Sequence, residues 1–243
     1  MSKHHTIVVT GGSTGIGAAI CSQLLEEGHA VVNLARRAAD INHPKLTNLT
    51  LDLSDRERTR EVANEIAQSY PITGFIHNAG LIRPDLLDDV ALDDFDYLAQ
   101  VHIGAAITLS QAFLPAMRER HFGRIILITS RAALGMQTRT SYSATKSGMM
   151  GMARTWALEL AGDGITVNTV APGPIAATEM FHAVVPEDSP QMNKIADGIP
   201  VKRLGHPDDV ARAVSFLNDE RNGFITGQTL MVCGGASLGS LSL

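Results

Sequence analysis

The sequence predicts an α/β fold built on a doubly wound parallel sheet of about seven strands, with helices on both faces. Short apolar runs, nearly continuous rather than alternating with polar residues, recur along the chain between helical patterns, as is typical of strands buried on both faces. A glycine-rich turn directly follows the first run, as at the start of a βαβ unit. The 243 residues contain no repeat and no long linker, so we expect one domain over 1–243.

The predicted strands follow the apolar runs in order. The first run, TIVVT, leads into the glycines, and the fifth, RIILIT, ends beside a serine. Each run is short and is bounded by a turn or a helical pattern, which favours a buried strand over a helix. The strands are predicted at 6–10, 30–35, 49–53, 74–78, 124–129, 166–171 and 229–233.

Two longer segments between the strands are distinctive. Residues 97–117 lack formal charge but contain Gln100, His102 and Pro115, which predicts a buried helix rather than a membrane span. Residues 176–200 combine three prolines with weak helical periodicity, which predicts a loop-and-helix excursion beside a ligand site. The excursion is expected to act as a lid, and an inert surface insertion is the alternative.

The composition predicts a globular protein without a nucleic-acid partner. A net charge of −5, with no run of Lys or Arg, provides no basic face for phosphates. Cys21 and Cys233 lie far apart and lack metal-ligand spacing, so we expect a reduced, cytoplasmic protein without a metal site. The apolar run near the start is too short for a signal-peptide core or an anchor, so no membrane association is expected.

A glycine loop after the first strand predicts a dinucleotide site. Gly11, Gly15 and Gly17 stand between this strand and a helix, where backbone N–H groups approach a pyrophosphate at the helix N-terminus. With Thr10 they form the pattern T-G-x-x-x-G-x-G, which resembles the short-chain dehydrogenase/reductase family. The resemblance runs through nearly the whole chain and implies a Rossmann-like fold and an NAD(P) cofactor. It assigns loop contacts to Thr10, Gly11, Ser13, Thr14, Gly15, Ile16 and Gly17.

The resemblance also implies the remaining cofactor contacts. Asp52 and Leu53 would meet the adenine edge, and the HNAG motif would border the adenosine ribose. His77 stands where the family often has a second asparagine, and it receives no role. The segment APGPIAAT is similar to the nicotinamide-side loop, although an extra residue precedes Thr178. The contacts implied in these two motifs are Asn78, Ala79, Gly80, Pro172, Gly173, Ile175 and Thr178.

The end of the second strand predicts NADP(H) in preference to NAD(H). An acidic side chain there would accept the ribose hydroxyls of NAD and would repel a 2'-phosphate. This chain has Ala35 followed by Arg36 and Arg37, whose guanidinium groups are suited to binding that phosphate.

Ser130, Tyr142 and Lys146 are the predicted catalytic residues. Tyr142 and Lys146 are four residues apart, so they share one face of a helix, and Ser130 closes the strand before it. A phenol with an ordinary pKa near 10 needs a nearby cation to act as a base at neutral pH, and Lys146 fits that role. Ser130 would hydrogen-bond the substrate oxygen. The family resemblance adds cofactor contacts for Tyr142 and Lys146, with Lys146 at the nicotinamide ribose.

Two further residues have open alternatives. His102 stands where the family usually has an asparagine, so it is predicted as a fourth catalytic residue in a proton relay, against an inert core histidine. Arg139 lies in the loop between Ser130 and Tyr142. It is predicted to face an anionic substrate group, against a solvated or subunit-contact arginine.

The helix that carries Tyr142 also predicts self-assembly. Small residues on this helix, among them Gly148 and Gly151, permit close helix packing, and the family commonly forms tetramers through such helices. We therefore expect a homotetramer, and internal packing against the sheet is the alternative.

These features together predict an NADP(H)-dependent oxidoreductase that interconverts a carbonyl and a secondary alcohol of a small-molecule substrate by hydride transfer. One alternative is a β-ketoacyl carrier-protein reductase in particular. The other is a cofactor-sensing binding protein that has lost turnover. The chain has no G-x-S-x-G motif to support a serine hydrolase.

Overall fold

The centre of the protein is a seven-stranded parallel sheet. The computed structural model describes residues 4–183, 185–187 and 189–238. The strands are β1 (Thr6–Thr10), β2 (Ala30–Ala35), β3 (Leu46–Thr50), β4 (Ile72–His77), β5 (Gly123–Ile128), β6 (Ile165–Pro172) and β7 (Thr229–Val232). Their order in the sheet is β3-β2-β1-β4-β5-β6-β7, and every pairing is parallel. The predicted fold class is confirmed.

Helices cover both faces of this sheet. They are α1 (Gly15–Glu26), α2 (Arg56–Ser69), α3 (Leu92–Ala99), α4 (Ala105–Glu119), α5 (Thr140–Leu160), α6 (Glu179–His182), α7 (Pro190–Gly198) and α8 (Pro207–Asn218). Ile7 and Val9 of β1 belong to the core formed with α1 and α8, whereas Val8 belongs to the core formed with α2, α4 and α5. The near-continuous apolar strands are explained by burial on both faces.

The strand order reverses beside β1. This strand pairs with β2 on one side and with β4 on the other, and later strands extend the sheet in opposite directions. The loops that follow β1 and β4 therefore separate at the carboxyl ends of the strands. In doubly wound sheets this separation forms the ligand-binding crevice.

The position of β3 differs from its prediction at 49–53. The strand pairs with β2 from Val31↔Leu46 to Ala35↔Thr50, three residues earlier along the chain. Leu51 and Leu53 are buried in the loop beyond the strand. The prediction was wrong in its bounds because it followed the apolar run, whereas pairing with β2 fixes the extent of this edge strand. The other strands lie within about two residues of their predicted bounds.

The segment predicted as one buried helix over 97–117 has three parts. α3 ends at Ala99, a π-helical turn covers Gln100–Gly104, and α4 begins at Ala105. His102 lies in the π-helical turn and is fully buried. Within the described ranges, no helix is long and apolar enough to cross a membrane.

Candidate active site

A cavity of about 550 Å³ opens at the carboxyl edge of the sheet. Glycine-loop residues line one end, and Ser130 lines the other together with Tyr142 and Lys146. The predicted cofactor contacts that line the cavity are Gly11, Ser13, Thr14, Gly15, Ile16, Gly17, Arg36, Arg37, Asp52, Leu53, Asn78, Ala79, Gly80, Tyr142, Lys146, Pro172, Gly173, Ile175 and Thr178. Their binding roles stay predictions.

The glycine loop turns tightly before α1. Gly11 and Gly15 have φ values of +67° and +55°, which residues with a side chain rarely adopt. A Cβ on Gly17 would lie 2.0 Å from the Gly11 carbonyl oxygen, so the close turn requires glycine. Thr14 precedes α1, and its side chain makes no hydrogen bond to the helix. The first N–H groups of α1 are therefore left for a ligand.

Thr10 directly precedes the glycine loop and does not line the cavity. Its hydroxyl accepts hydrogen bonds from the backbone N–H groups of Asn78 and Ala79, each at 3.0 Å. The Asn78 side chain in turn donates to the Gly11 carbonyl at 3.0 Å. The Thr10 hydroxyl thus joins β1 to the loop after β4, which gives it a positioning role, and the predicted cofactor contact of Thr10 stays a prediction.

His77, which received no role from the sequence, extends the same connection. Its Nδ1 lies 3.0 Å from the Thr10 hydroxyl, and its Nε2 lies 3.1 Å from the Val101 carbonyl oxygen. Because that carbonyl only accepts, the network assigns the proton to Nε2 and makes Nδ1 the acceptor. The ring thus connects β1 to the π-helical turn, and burial lowers the pKa of His77 to about 3.

His102 is fully buried and lies outside the cavity lining. The Leu81 N–H donates to its Nε2 at 3.2 Å, and its Nδ1 lies 2.9 Å from the Thr145 hydroxyl. The Thr145 hydroxyl has an acceptor in the Ser141 carbonyl, so the network places the ring proton on Nδ1. Burial holds the pKa of His102 well below its usual value. A neutral ring with both nitrogens bonded favours positioning, and the predicted relay role stays a prediction.

Ser130, Tyr142 and Lys146 converge at the cavity, as their order in the sequence predicts. Ser130 lies two residues after the end of β5, whereas the other two lie one turn apart on α5. Lys146 is 2% exposed and donates from Nζ to the Ile128 carbonyl at 2.8 Å. Its Nζ lies 5.7 Å from the centre of the Tyr142 ring. One turn of helix therefore places the ammonium group against the phenol.

The acid-base properties of these residues follow from burial. Burial lowers the pKa of Lys146 to about 7. It raises the pKa of Tyr142, against smaller lowering effects of a hydrogen bond with Ser130 and of the Arg139 charge. The phenol is therefore protonated at neutral pH, as a proton donor must be.

The adenosine end of the cavity carries the two arginines predicted to select the cofactor. Arg36 lines the cavity and forms no ion pair with any described residue. Its charge helps to lower the pKa of Asp52, after the hydrogen bonds from Ser54. Arg37 instead pairs with Glu179 of α6, with 2.6 Å between Nη2 and Oε1. The loop-and-helix excursion over 176–200 thus contacts Arg37, which follows β2.

The opposite end of the cavity is apolar, and the sequence did not reveal most of its lining. α6 and α7, which form the predicted loop-and-helix excursion, contribute part of it, and Thr178 caps α6 by accepting from the Phe181 N–H at 3.2 Å. Arg131, Arg139 and Glu179 are charged residues that line the cavity together with this apolar wall. The apolar residues in the lining are Leu81, Ile82, Tyr97, Met136, Met180, Phe181, Val185 and Ile195.

The described residues fit a nicotinamide dinucleotide and not a metal. The glycines admit a close backbone approach, and the α1 N-terminus and the arginines complement phosphates. Lys146 and Tyr142 line the same cavity as the glycine loop. Across the described part of the chain, no cluster of three or more His, Cys, Asp or Glu side chains could hold a metal ion.

Comparisons with known proteins agree with this geometry. Residues 11–237 match a family described as enoyl-(acyl carrier protein) reductase. A 3-oxoacyl-[acyl-carrier-protein] reductase of Haemophilus influenzae is 36% identical over 95% of this chain and 97% of its own. An acetoacetyl-CoA reductase of Rhizobium meliloti is 35% identical over 94% of this chain and 96% of its own. A Beutenbergia cavernae structure, described as an NAD(P)-dependent gluconate 5-dehydrogenase with bound NADP, has a TM-score of 0.88 and 30% identity over 97% of each chain.

The similarity extends along almost the whole chain and includes the described residues of the site. The parallel sheet, the glycine loop and the group formed by Ser130, Tyr142 and Lys146 occur in the order that the sequence pattern implied. The chain therefore belongs to the short-chain dehydrogenase/reductase family and is an oxidoreductase of carbonyl and CH–OH groups.

Proposed function

We propose that the protein is an NADP(H)-dependent ketoreductase or secondary-alcohol dehydrogenase that acts on a small molecule. The observation that carries this proposal is one continuous cavity. A glycine loop and two arginines line one end, and the other end holds Ser130 with Tyr142 and Lys146. The predicted cytoplasmic location is part of the proposal and is supported by the free state of the two cysteines, Cys21 and Cys233.

The reduction requires a proton for the carbonyl oxygen as a hydride reaches the carbonyl carbon. When bound, the reduced nicotinamide supplies that hydride. Tyr142 donates its phenolic proton to the oxygen, and the charged form of Lys146 stabilises the phenolate that remains. Ser130 orients the carbonyl through its hydroxyl. In alcohol oxidation the phenolate accepts the proton instead.

The preference for NADP(H) is supported by the charges at the end of β2. The strand ends at Ala35, and Arg36 is exposed at the cavity without an ion pair to a described residue. A 2'-phosphate would gain charge-assisted hydrogen bonds from this guanidinium, whereas NAD lacks that group. The Beutenbergia cavernae protein, 30% identical to this chain, is described with NADP bound at low occupancy.

A panel of ketones and secondary alcohols with NADPH, NADH and their oxidised forms tests the proposal, followed at the nicotinamide absorbance. We expect turnover, with a higher kcat/KM for the phosphorylated cofactor. Tyr142→Phe keeps the ring but removes the proton donor, so it should lower kcat by about 10²- to 10⁴-fold. Tyr70→Phe, a tyrosine that does not line the cavity, is the matched control. Cofactor binding without turnover of any compound would instead support a cofactor-sensing protein.

A β-ketoacyl carrier-protein reductase is the second candidate, supported by the activity in the name of the Haemophilus influenzae relative. The apolar wall of the cavity suits an acyl chain. An acetoacetyl thioester tested on the carrier protein and as a short carrier-free analogue distinguishes this candidate. A kcat/KM at least about 10-fold higher on the carrier would favour it, since that factor corresponds to about 1.4 kcal/mol of carrier contact.

A further inference from the structure

The substrate end of the cavity contains two arginines without carboxylate partners. Arg131 and Arg139 both line it, and neither forms an ion pair with a residue in the described ranges. The carboxylate of Glu179, which also lines the cavity, is bonded to Arg37 at 2.6 Å. A partly enclosed guanidinium without a counter-ion attracts an anion.

Arg139 is fixed by its own loop and retains free donors. Its Nη1 donates to the Thr138 carbonyl at 3.2 Å and to the Thr138 hydroxyl at 2.6 Å. Thr138 has φ of +63°, an uncommon value for a non-glycine residue, and its carbonyl also accepts from the Asp85 N–H at 3.1 Å. No described residue accepts from Nε or Nη2 of Arg139. These donors are therefore available to a ligand at a guanidinium whose orientation is already set.

Arg139 also lies within electrostatic reach of the reacting groups. Its charge lowers the pKa of the Tyr142 phenol, although burial has the larger and opposite effect. An anionic group held by Arg139 would therefore be part of a molecule whose carbonyl reaches Tyr142 and Ser130. This places the anion and the carbonyl on one small substrate.

Arg131 adds a second cationic group to the cavity lining. It directly follows Ser130 and begins a 3₁₀ turn over Arg131–Leu134. Its Nε is buried and has no hydrogen-bond partner among the described residues. A buried donor without a partner costs free energy, and the residue lines the cavity without an ion pair to any described residue.

We propose that the substrate is an oxo acid, or the corresponding hydroxy acid, whose carboxylate is bound by Arg139 and Arg131 while its carbonyl lies at Ser130 and Tyr142. The inference deepens the proposed function and rests on it. The reaction reduces the ketone C=O to CH–OH. The new C–H bond would use a hydride from the bound reduced nicotinamide, which would be oxidised. Tyr142 gives its proton to form the O–H bond, and the phenolate that remains regains a proton from water. The carboxylate stays unchanged, and the apolar wall covers the carbon chain between the two groups.

Matched acids and esters test this assignment directly. The probes are 3-oxobutanoate and 4-oxopentanoate against their methyl esters, with dihydroxyacetone phosphate against dihydroxyacetone to represent a phosphate anion. We expect kcat/KM for each acid to exceed that for its ester by about 10- to 100-fold, the range of one or two charge-assisted hydrogen bonds. The phosphate should give a smaller gain than the carboxylates. The carboxylate assignment would be overturned if kcat/KM for an ester equalled or exceeded that for its acid. It would also be overturned if the phosphate raised kcat/KM more than the carboxylates do.

Substitutions then connect the preference to the two arginines. Arg139→Met and Arg131→Met should each lower the ratio of kcat/KM for an acid to kcat/KM for its ester by about 10-fold. Arg139→Lys should keep part of the acid preference that Arg139→Met removes. Arg60→Met, an exposed arginine of α2 outside the cavity lining, is the matched control, and thermal melts check folding. An acid preference that survives both Met variants would contradict the roles given to these residues. Absence of turnover for acids, esters and neutral ketones alike would instead overturn the proposed function itself.

Discussion

Among individual residues, Lys146 connects catalysis to stability. Folding buries its ammonium group with the Ile128 carbonyl as its hydrogen-bond acceptor, and burial lowers its pKa from 10.5 to about 7. The unfolded chain therefore binds more protons between about pH 7 and pH 10.5, so this group makes the protein more stable as pH rises through that window. Stability from this source is lost as pH falls toward 7.

We predict that Lys146→Met raises the unfolding free energy of the cofactor-free protein at pH 6 by about 1–3 kcal/mol while it removes catalysis. The Met side chain fills a similar space without a buried charge. Thermal or urea unfolding at pH 6 and pH 9 measures the effect, which should be larger at pH 6. A variant that is less stable than the natural protein at both pH values would contradict this account of the buried charge.

Arg36 is the residue on which we expect cofactor choice to depend. We predict that Arg36→Asp weakens NADPH binding by about 100-fold and changes NADH binding by less than about 5-fold, because it replaces phosphate attraction with repulsion. Fluorescence titration of both cofactors gives the two dissociation constants. Arg60→Asp, at an exposed position outside the cavity, controls for the change in net charge. Equal changes for the two cofactors would show that Arg36 does not meet the 2'-phosphate.

Substitutions of His102 distinguish a proton-relay role of this residue from a positioning role. The neutral ring bonds the Leu81 N–H and Thr145, so His102→Leu should lower the unfolding free energy by about 1–3 kcal/mol and leave the pH-rate profile of the folded enzyme unchanged. His102→Asn, which keeps polar atoms at the site, should retain substantial activity. Pure variants are compared after correction for the folded fraction. A pH profile that shifts in His102→Leu would restore the relay hypothesis.

Among the structural elements, α6 connects the substrate end of the cavity to the cofactor end. Glu179 on α6 pairs with Arg37 after β2, and Met180 beside it lies 4.0 Å from the Tyr142 hydroxyl. The ion pair occupies a guanidinium that a 2'-phosphate would also attract. α6 therefore has the contacts expected of a lid element.

We predict that Glu179→Gln tightens NADPH binding by about 2- to 5-fold, because Arg37 is released and both partners of this ion pair are exposed enough for water to weaken it. NADH binding should stay unchanged. Titrations at low and at about 0.5 M salt measure the effect, which should shrink as salt screens the charges. Weaker NADPH binding in the variant would show instead that the ion pair supports the phosphate site.

At the scale of the whole molecule, the outer face of α5 is the candidate surface for self-association. Met149 and Ala153 are buried against the sheet, so internal packing accounts for one face of the helix. The opposite face is exposed and rich in small residues, which lets a second helix approach closely. The exposed residues of α5 are Thr140, Ala144, Ser147, Gly148, Gly151, Arg154, Thr155, Leu158 and Glu159.

We predict a homotetramer, which light scattering should show as four times the chain mass of 25.9 kDa. Gly151→Arg should reduce this mass, because a bulky charged side chain would separate the helices. Gly162→Arg is the matched control, since a Cβ at Gly151 or at Gly162 meets no other atom within 4 Å in the single chain. Only monomer at micromolar concentration in the natural protein would contradict the prediction.

Local sequence pattern determined the strands, the glycine turn and the spacing of Tyr142 and Lys146. These features depend on backbone conformation over a few residues, where periodicity, glycine geometry and the helical repeat act directly. The same pattern indicated the direction of charge at the end of β2 through Arg36 and Arg37. It did not fix the bounds of β3, which depend on pairing with β2.

Only the tertiary structure decided which side chains contact one another at the site. The sequence does not show that the Thr10 hydroxyl turns away from the cavity to hold the loop after β4, or that His77 bonds Val101. Nor does it show that Arg37 meets Glu179, 142 residues away, or that Arg131 has a buried donor without a partner. Such contacts join residues distant in sequence, and a polar side chain carries no local signal of its partner because packing selects the partner only when the sheet and its loops assemble.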